Sequence, residues 1–391
     1  MNTQVNLVEL ENEIKSGKVA PELAAPAGEA EDLESVSPAQ VGGLGTWFLK
    51  DMWYYALPSA DLKMGKMIPK TVMGEPILLC RGKDGKAFVL KNICPHQAMP
   101  LGDGFFDGEN VQCSFHGWKF DNSGACTDIP SLVPDQKAQM PLCKIKTQNY
   151  PVREVRGAIW VYFGDATNDY PEVPEAPGLS ELLYKQTTNT LLLPTHIDYA
   201  ALALIDPAHV PYVHNAWWWR SAKDLKAKQK RYVPEGTGWT MVKHQPARHA
   251  LIFKLFAQYI EMEISFRLPG CRREYITFMG KTVLAGISTL TPIDETHTEL
   301  NHTTYWMIPG PKFIAEPIIK YFVNEFLGQD QSVARRQEIN LKLKPKLIPT
   351  IKDAGTPGAW YLRLKKEWAE SKRESRAFNN PVTDTVLRWM S

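Results

Sequence analysis

The 391-residue chain lacks the features that mark a secreted, membrane-spanning or nucleic-acid-binding protein. Six cysteines are too few for a disulfide scaffold in a chain of this length. No segment reaches about 18 uninterrupted apolar residues, which argues against a membrane span, and the N-terminus lacks the basic start and apolar core of a signal peptide. Because the net charge is only +2, nucleic-acid binding driven by bulk charge is not expected. These absences favour a cytoplasmic, reducing setting, in which cysteines serve as metal ligands or free thiols.

The composition is that of a globular protein, and the length suits two or three domains. Residues 1–45 carry eight acidic side chains and no aromatic one, so we expect a partly ordered acidic arm there. In residues 46–165, short apolar runs are separated by Gly, Asp and Asn, which predicts antiparallel hairpins. A proline-rich stretch then leads into a third region, residues 166–391.

This third region mixes helical and strand patterns, which predicts an α+β protein. Alternating polar and apolar residues within residues 230–310 indicate antiparallel strands. The pattern at 197–206 is helical, and apolar residues about one turn apart predict a helix at 311–345. Residues 357–377 are rich in charge and are predicted to form a surface helix.

The most specific motif is Cys94-Pro95-His96, followed after sixteen residues by Cys113-Ser114-Phe115-His116. Each half places a thiolate and an imidazole on one tight loop, and two such loops facing each other can enclose a metal centre. Two cysteines and two histidines could bind zinc, although C-x-H is a poor half-site for a zinc finger. In a mixed-ligand two-iron cluster, two cysteines bind one iron and two histidines bind the other.

The sequence around this motif resembles the Rieske family, and the likeness extends through Pro95, Gly117, Trp118, Phe120, Asp121 and Gly124. The resemblance implies that Cys94 and Cys113 bind one iron of a [2Fe–2S] cluster, while His96 and His116 bind the other. The chain departs from the family pattern at Gln97, where many relatives carry arginine. This departure removes no ligand.

A second motif reads Asp206-Pro-Ala-His209-Val-Pro-Tyr-Val-His214. Two histidines five residues apart can converge on one ion, and two histidines with one carboxylate leave open positions on iron for O2. We expect the carboxylate downstream. The stretch that ends at Asp330 resembles the corresponding stretch in oxygenases of the Rieske family, which implies Asp330 as the ligand, with Glu325 as the competing candidate.

Together the two motifs resemble the oxygenase component of a Rieske non-heme iron oxygenase, over roughly residues 47–345. The resemblance implies an N-terminal all-β Rieske domain and a C-terminal helix-grip-like domain that holds a mononuclear Fe(II) through His209, His214 and Asp330. It also implies a head-to-tail homotrimer, in which Asp206 bridges His209 and a cluster histidine, His116, of the neighbouring subunit.

The implied chemistry needs O2, a small organic substrate and an electron donor, either a ferredoxin or an NAD(P)H-dependent reductase, because no flavin or nicotinamide fingerprint is evident. We expect monooxygenation, by hydroxylation or oxidative demethylation, of a bulky apolar or aromatic compound. A ring-dihydroxylating dioxygenase is the nearest alternative. A Rieske electron carrier without oxygenase activity and a structural zinc protein are alternatives from other classes.

Several further features stay open between a structural and a functional role. The run Trp217-Trp218-Trp219 and aromatic residues within 246–275 could pack in the core or line a substrate pocket. The basic stretch from Lys223 to Arg231 could be a solvated loop or a docking site for an acidic ferredoxin. Arg272 and Arg273 could orient a substrate oxygen or form structural ion pairs, and the 343–351 stretch could touch a membrane.

Overall fold

The computed structural model describes residues 44–165, 169–174, 184–214, 225–245, 259–307, 310–344, 347 and 350–391. The acidic arm predicted for residues 1–45 therefore lies outside the described residues, except for Leu44 and Gly45. The described residues all belong to one compact unit, and the division into 46–165 and 166–391 stays a prediction.

The described residues form four antiparallel sheets. In chain order the strands are β1 Met52–Pro58, β2 Met67–Val72, β3 Glu75–Arg81, β4 Ala87–Lys91, β5 Phe105–Phe106, β6 Val111–Gln112, β7 Lys119–Phe120, β8 Cys126–Asp128, β9 Asn149–Tyr150, β10 Val152–Val155, β11 Ala158–Phe163, β12 Lys185–Leu193, β13 Ala227–Glu235, β14 Gly238–His244, β15 Ile260–Arg267, β16 Cys271–Phe278, β17 Lys281–Pro292, β18 Thr298–Trp306 and β19 Thr385–Met390. The helices are α1 Pro134–Gln139, α2 Ile197–Ile205, α3 Val210–Val213, α4 Lys312–Leu341 and α5 Thr356–Arg373. The expected α+β class is confirmed.

The first eleven strands build three small sheets, with strand orders β1-β11-β10, β2-β3-β4-β9 and β5-β6-β7-β8. Their turns use the residues that positive φ requires, such as Gly85 between β3 and β4 and Gly124 between β7 and β8. Asp121 supports the second turn by accepting a hydrogen bond from the Ser123 amide at 2.8 Å. The predicted hairpins agree with the observed ones, because the glycines and aspartates that form these turns can be recognised in the sequence.

The remaining strands form one eight-stranded sheet with the order β12-β18-β17-β16-β15-β14-β13-β19. One face of this sheet contacts the N-terminal sheets. Thr291 of β17 donates to the Tyr55 carbonyl at 2.7 Å, and Glu299 of β18 pairs with Lys70 at 2.7 Å. Because side chains alternate along a strand, the residues next to these point to the opposite face.

Helices cover that opposite face. At one edge, Asn189 of β12 donates to Asn324 of α4 at 2.7 Å. Further along the sheet, Trp360 of α5 packs against Tyr232 and Trp239, with ring centroids 5.6 and 6.4 Å apart. The large sheet and the helices α2, α4 and α5 share one main core, which also includes buried residues of β1, β3 and β11.

The helix predictions agree with the structure to within a few residues at each end. The prediction for 197–206 corresponds to α2, that for 311–345 to α4, and that for 357–377 to α5. The expectation of a charged surface helix at 357–377 was wrong, because Trp360, Leu364 and Trp368 of α5 are buried in the core. The sequence analysis did not predict β19, whose place in the sheet depends on pairing with β13 more than 150 residues away. No helix in the described ranges is long and apolar enough to cross a membrane.

A buried ionic network fixes the start of α2, the helix that leads to the second motif. Lys365 of α5 donates to Asp198 Oδ1 at 2.6 Å and to the Trp47 carbonyl at 2.8 Å. The Tyr361 hydroxyl donates to the same Asp198 oxygen at 2.7 Å, and the Gly45 amide donates to Oδ2 at 2.9 Å. Asp198 and Lys365 are each only 1% exposed, so each charge depends on the other for compensation.

Replacing Lys365 by methionine should lower the free energy of unfolding by about 3–5 kcal/mol, because it leaves Asp198 charged and buried. The double variant Asp198→Asn, Lys365→Met should recover part of the loss. Lys366→Met is the matched control on the same helix, since its pair with Glu370 is solvent-exposed and should contribute less than about 1 kcal/mol. Equal losses in urea unfolding for Lys365→Met and Lys366→Met would contradict a stabilising network.

Candidate metal centres

The two Cys-His loops have the same backbone construction. In the first loop the Ala98 amide donates to the Cys94 carbonyl and the Cys94 amide donates to the Met99 carbonyl. In the second loop Gly117 and Trp118 occupy the equivalent places around Cys113. The fifth residue of each loop has positive φ, +59° at Ala98 and +74° at Gly117. The loops therefore form a matched pair, although their Cys–His spacings differ by one residue.

The loops place the four candidate ligands at one end of the small sheets. Cys94 and Cys113 are both 2% exposed and pack with the core of that region, whereas His96 is exposed and His116 half-buried. The two imidazole centroids are 4.7 Å apart. Buried sulfur on one side and accessible imidazole on the other matches the ligand division of a Rieske cluster.

Backbone amides support the Cys94 sulfur. Burial raises the pKa of the Cys94 thiol, and hydrogen bonds from the backbone of His96 and Gln97 act in the opposite direction. Such donors stabilise negative charge on a sulfur ligand. The donor set and its surroundings therefore fit a [2Fe–2S] cluster.

Trp118 adds a contact that the motif alone did not reveal. Its indole stacks flat on the His96 ring, with centroids 4.5 Å apart and an interplanar angle of 7°. The second histidine contacts Phe115, with centroids 4.0 Å apart. Phe115 and Trp118 both belong to the second loop. The sequence motif includes them, but it does not show that Trp118 contacts His96 of the first loop.

The second motif lies where two helices approach each other. Helix α2 ends at Ile205, and Asp206 and His209 follow in the turn that leads into α3; His214 directly follows α3. Asp330 lies within α4. The structure thus brings together three side chains from segments more than 110 residues apart.

The three ligand atoms are close enough to share one ion. His209 Nε2 and His214 Nε2 are 3.2 Å apart, and Asp330 Oδ1 is 3.7 Å from the first and 3.4 Å from the second. Metal–ligand bonds of about 2.1 Å place neighbouring ligand atoms roughly 3.0–3.4 Å apart. The geometry therefore fits a divalent metal without large rearrangement.

Each imidazole is held by its other ring nitrogen. His209 Nδ1 donates to the Asp206 carbonyl at 2.8 Å, and His214 Nδ1 donates to Gln329 Oε1 at 3.1 Å. The His214 ring also stacks on Phe326, with centroids 3.6 Å apart. These contacts fix the tautomer in which both Nε2 atoms carry a lone pair toward the shared centre.

The electrostatics also suit a cation. Burial lowers the pKa of His209, and it lowers that of His214 to about 4, so both rings are neutral, as metal ligation requires. Burial raises the pKa of Asp330 to about 7, although the Arg272 charge opposes this effect. A divalent ion would stabilise the Asp330 carboxylate in this desolvated position.

The other residues predicted for this site are not ligands in the three-residue group. Glu325 is exposed and is not part of the three-residue group. The Asp206 carboxylate accepts a hydrogen bond from the Ala208 amide at 2.7 Å, so Asp206 contacts His209 through its main chain. Trp217, Trp218 and Trp219 lie outside the described residues, as does the 246–258 part of the aromatic region.

Sequence reasoning missed Gln329, Phe326 and Arg272 as neighbours of this centre. A signal was available for the first two, because Gln329 directly precedes Asp330 and Phe326 is four residues before it, on the same helix face. No local signal could connect Arg272 to the centre, since β16 reaches it only through the sheet.

A glycine at position 117 is required by the second cluster loop. Gly117→Val should reduce cluster content, because a β-branched residue is disfavoured at φ +74° and its Cβ would lie 3.1 Å from Pro130 Cγ. Ala98→Gly is the matched control at the equivalent place in the first loop and should retain the cluster. Visible absorbance per chain measures both, and an unchanged spectrum for Gly117→Val would contradict the loop account.

Asp330 and Glu325 provide a direct test of the second centre. In iron-reconstituted protein, Asp330→Ala should lower the iron content from about three to about two per chain, because a buried site with two imidazoles alone binds iron weakly. Glu325→Ala should leave it unchanged. Loss of iron in Glu325→Ala with full retention in Asp330→Ala would show that the wrong carboxylate was assigned.

Comparisons with known proteins agree with this geometry. A family model described as the Rieske [2Fe-2S] domain matches residues 52–151. Chlorophyllide a oxygenase from the chloroplast of Arabidopsis thaliana is 32% identical over 170 residues, which cover 43% of this chain and 30% of that protein. Cholesterol 7-desaturase of Ciona intestinalis is 28% identical over 279 residues, covering 66% of this chain and 57% of the relative. The chain thus spans less than two thirds of the length of these relatives.

The fold of most of the chain is shared with a solved structure. The crystal structure of dicamba monooxygenase bound to dicamba superposes with a TM-score of 0.67 at 18% identity, covering 84% of this chain and all of that one. At this identity the likeness concerns the fold. The predicted resemblance is confirmed: residues 52–151 are a Rieske [2Fe–2S] domain, and the chain is related to the Rieske non-heme iron oxygenases.

Proposed function

We propose that the chain is the oxygenase component of a Rieske non-heme iron oxygenase. One observation supports this most strongly: a chain with a Rieske domain also brings His209, His214 and Asp330 within 4.8 Å of one another. When bound, the cluster supplies one-electron transfer and the mononuclear iron supplies oxygen activation. The protein's task is to hold both sets of ligands, exclude water and position the substrate.

In this proposal the three residues of the second centre act as iron ligands, and Gln329, Phe326 and the Asp206 carbonyl hold the two imidazoles in position. A pure electron carrier would not need three desolvated ligand side chains at contact distance, because each costs free energy when no ion compensates it. This cost favours the oxygenase over a Rieske carrier.

The electron route is part of the proposal. A ferredoxin or an NAD(P)H-dependent reductase would reduce the cluster, and a homotrimer would bring the cluster histidines of one subunit to Asp206 of the next. The exposed His96 and the 57% exposed Phe115 at the tip of the cluster loops support contact with another protein surface. Asp206 would then bridge the two centres, with its carbonyl on His209 Nδ1 and its carboxylate toward the histidine of the neighbouring subunit.

For the substrate we propose a bulky, largely apolar or aromatic compound that undergoes hydroxylation or oxidative demethylation. The relatives support this choice, because their names refer to chlorophyllide, cholesterol and dicamba, which are ring compounds. A ring-dihydroxylating activity is the second candidate, favoured by a similarity to a 3-chlorobenzoate-3,4-dioxygenase subunit.

A single-turnover experiment tests the proposal. Iron-loaded, dithionite-reduced protein is mixed with ¹⁸O₂ and a panel of steroids, tetrapyrroles, and methoxy- and methylaromatics. We expect a product that carries one labelled oxygen, or release of formaldehyde from a methyl group, in the wild type and in Glu325→Ala but not in Asp330→Ala. Products that are all cis-dihydrodiols would support the second candidate. Cluster oxidation without any product across the panel would support the electron carrier.

A further inference from the structure

Four polar residues form a cluster on the helix-covered face of the large sheet. Arg272 of β16, Ser288 of β17 and His302 of β18 are direct cross-strand partners, so their side chains share one face. Glu274 lies two residues beyond Arg272 on that face, opposite Gly286. Burying a row of polar side chains between a sheet and a helical layer costs free energy unless the polar groups find hydrogen-bond partners.

Close contacts hold the cluster together. Arg272 Nη2 pairs with Glu274 Oε2 at 3.0 Å, and Ser288 Oγ lies 2.8 Å from His302 Nδ1. Gly286 makes room for them, since a Cβ at this position would lie 2.9 Å from His302 Cε1 and 3.0 Å from Glu274 Oε1. Both side chains therefore lean over the same glycine.

The cluster keeps unused hydrogen-bonding capacity. A guanidinium has five N–H donors, and among the described residues Arg272 has Glu274 as its ion-pair partner, although three quarters of its side chain is covered. His302 is 9% exposed, and within the described part of the chain no residue hydrogen-bonds to its Nε2. An added acceptor could use the remaining N–H groups of Arg272, and it could also use His302 Nε2 when Ser288 donates to Nδ1 and the ring proton is on Nε2.

The cluster belongs to the same layer as the second metal centre. His302 pairs across the sheet with Asn189, which binds Asn324 of α4, the helix that carries Asp330. The Arg272 charge also acts on the pKa of Asp330 and of both histidines of the centre. Arg273, by contrast, lies on the opposite face, where its Nε donates to Ser265 at 2.9 Å.

We propose that Arg272, Glu274 and His302 form a recognition site for a neutral oxygen, a carbonyl or a hydroxyl, on an otherwise apolar substrate. This inference rests on the proposed oxygenase function and specifies which compounds the chain selects. It also assigns different roles to the two adjacent arginines, because Arg272 lies on the face that carries Ser288 and His302, whereas Arg273 pairs with Ser265 on the other face.

The charge balance selects for a neutral group. Glu274 already compensates Arg272, and burial keeps the pKa of His302 low, so its ring is uncharged. A substrate carboxylate would add a negative charge beside Glu274, whereas a carbonyl or hydroxyl can accept from Arg272 and His302 without repulsion.

Four naphthalene derivatives of matched size provide the test: 2-acetonaphthone, 2-naphthol, 2-naphthoate and naphthalene. Dissociation constants are measured by calorimetry on iron-loaded, oxidised protein. We expect the ketone and the alcohol to bind at least tenfold more tightly than naphthalene and naphthoate. Arg272→Gln should reduce this preference to about twofold, and Arg273→Lys, the control on the opposite face, should leave it unchanged.

Glu274→Gln gives the sharpest result, because it leaves the Arg272 charge uncompensated and should raise the affinity for 2-naphthoate at least tenfold. No gain for naphthoate, equal effects of the Arg272 and Arg273 variants, or no binding of any probe to the wild type would overturn the inference. Iron content is measured on the same samples. Full iron content without the expected selectivity defeats only this inference, whereas absence of the third iron defeats the proposed function.

Discussion

The C-terminal half of the structure depends on holding two imidazoles and one carboxylate close together in a desolvated place. His214 follows α3 and Asp330 lies within α4, and without an ion their close approach is unfavourable. Contacts elsewhere in the fold must therefore stabilise the positions of these helices. They do so through Asn189 and Asn324 at one side and through the buried Asp198–Lys365 pair at the start of α2.

The two faces of the large sheet make different contacts. Residues such as Thr291 and Glu299 attach one face to two of the N-terminal sheets, through Tyr55 of β1 and Lys70 of β2. Their neighbours on the other face meet the helices and the second centre. Because side chains alternate along a strand, Arg272 faces the helical layer, whereas Arg273 faces the other side and donates to Ser265 of β15.

Sequence alone predicted those parts of the site whose residues are close along the chain. The Cys-His loops and the pair His209 and His214 were evident because one loop or one turn positions each set. Asp330 was expected near them only through the family resemblance, and its carboxylate lies 3.4 Å from His214 Nε2. The contact of Arg272 with the centre, the Trp118–His96 stack and strand β19 depend on pairings between distant segments, which no local pattern encodes. Segment 246–258 and the three tryptophans remain predictions.

The central claim is that one polypeptide carries two chemically different iron centres, a cluster and a mononuclear site. Mössbauer spectroscopy on protein reconstituted with ⁵⁷Fe tests it most directly, because cluster iron and mononuclear ferrous iron give separate signals. The account predicts cluster and high-spin ferrous components in a ratio of about two to one. A spectrum that contains cluster iron alone, from fully folded and reconstituted protein, would contradict it.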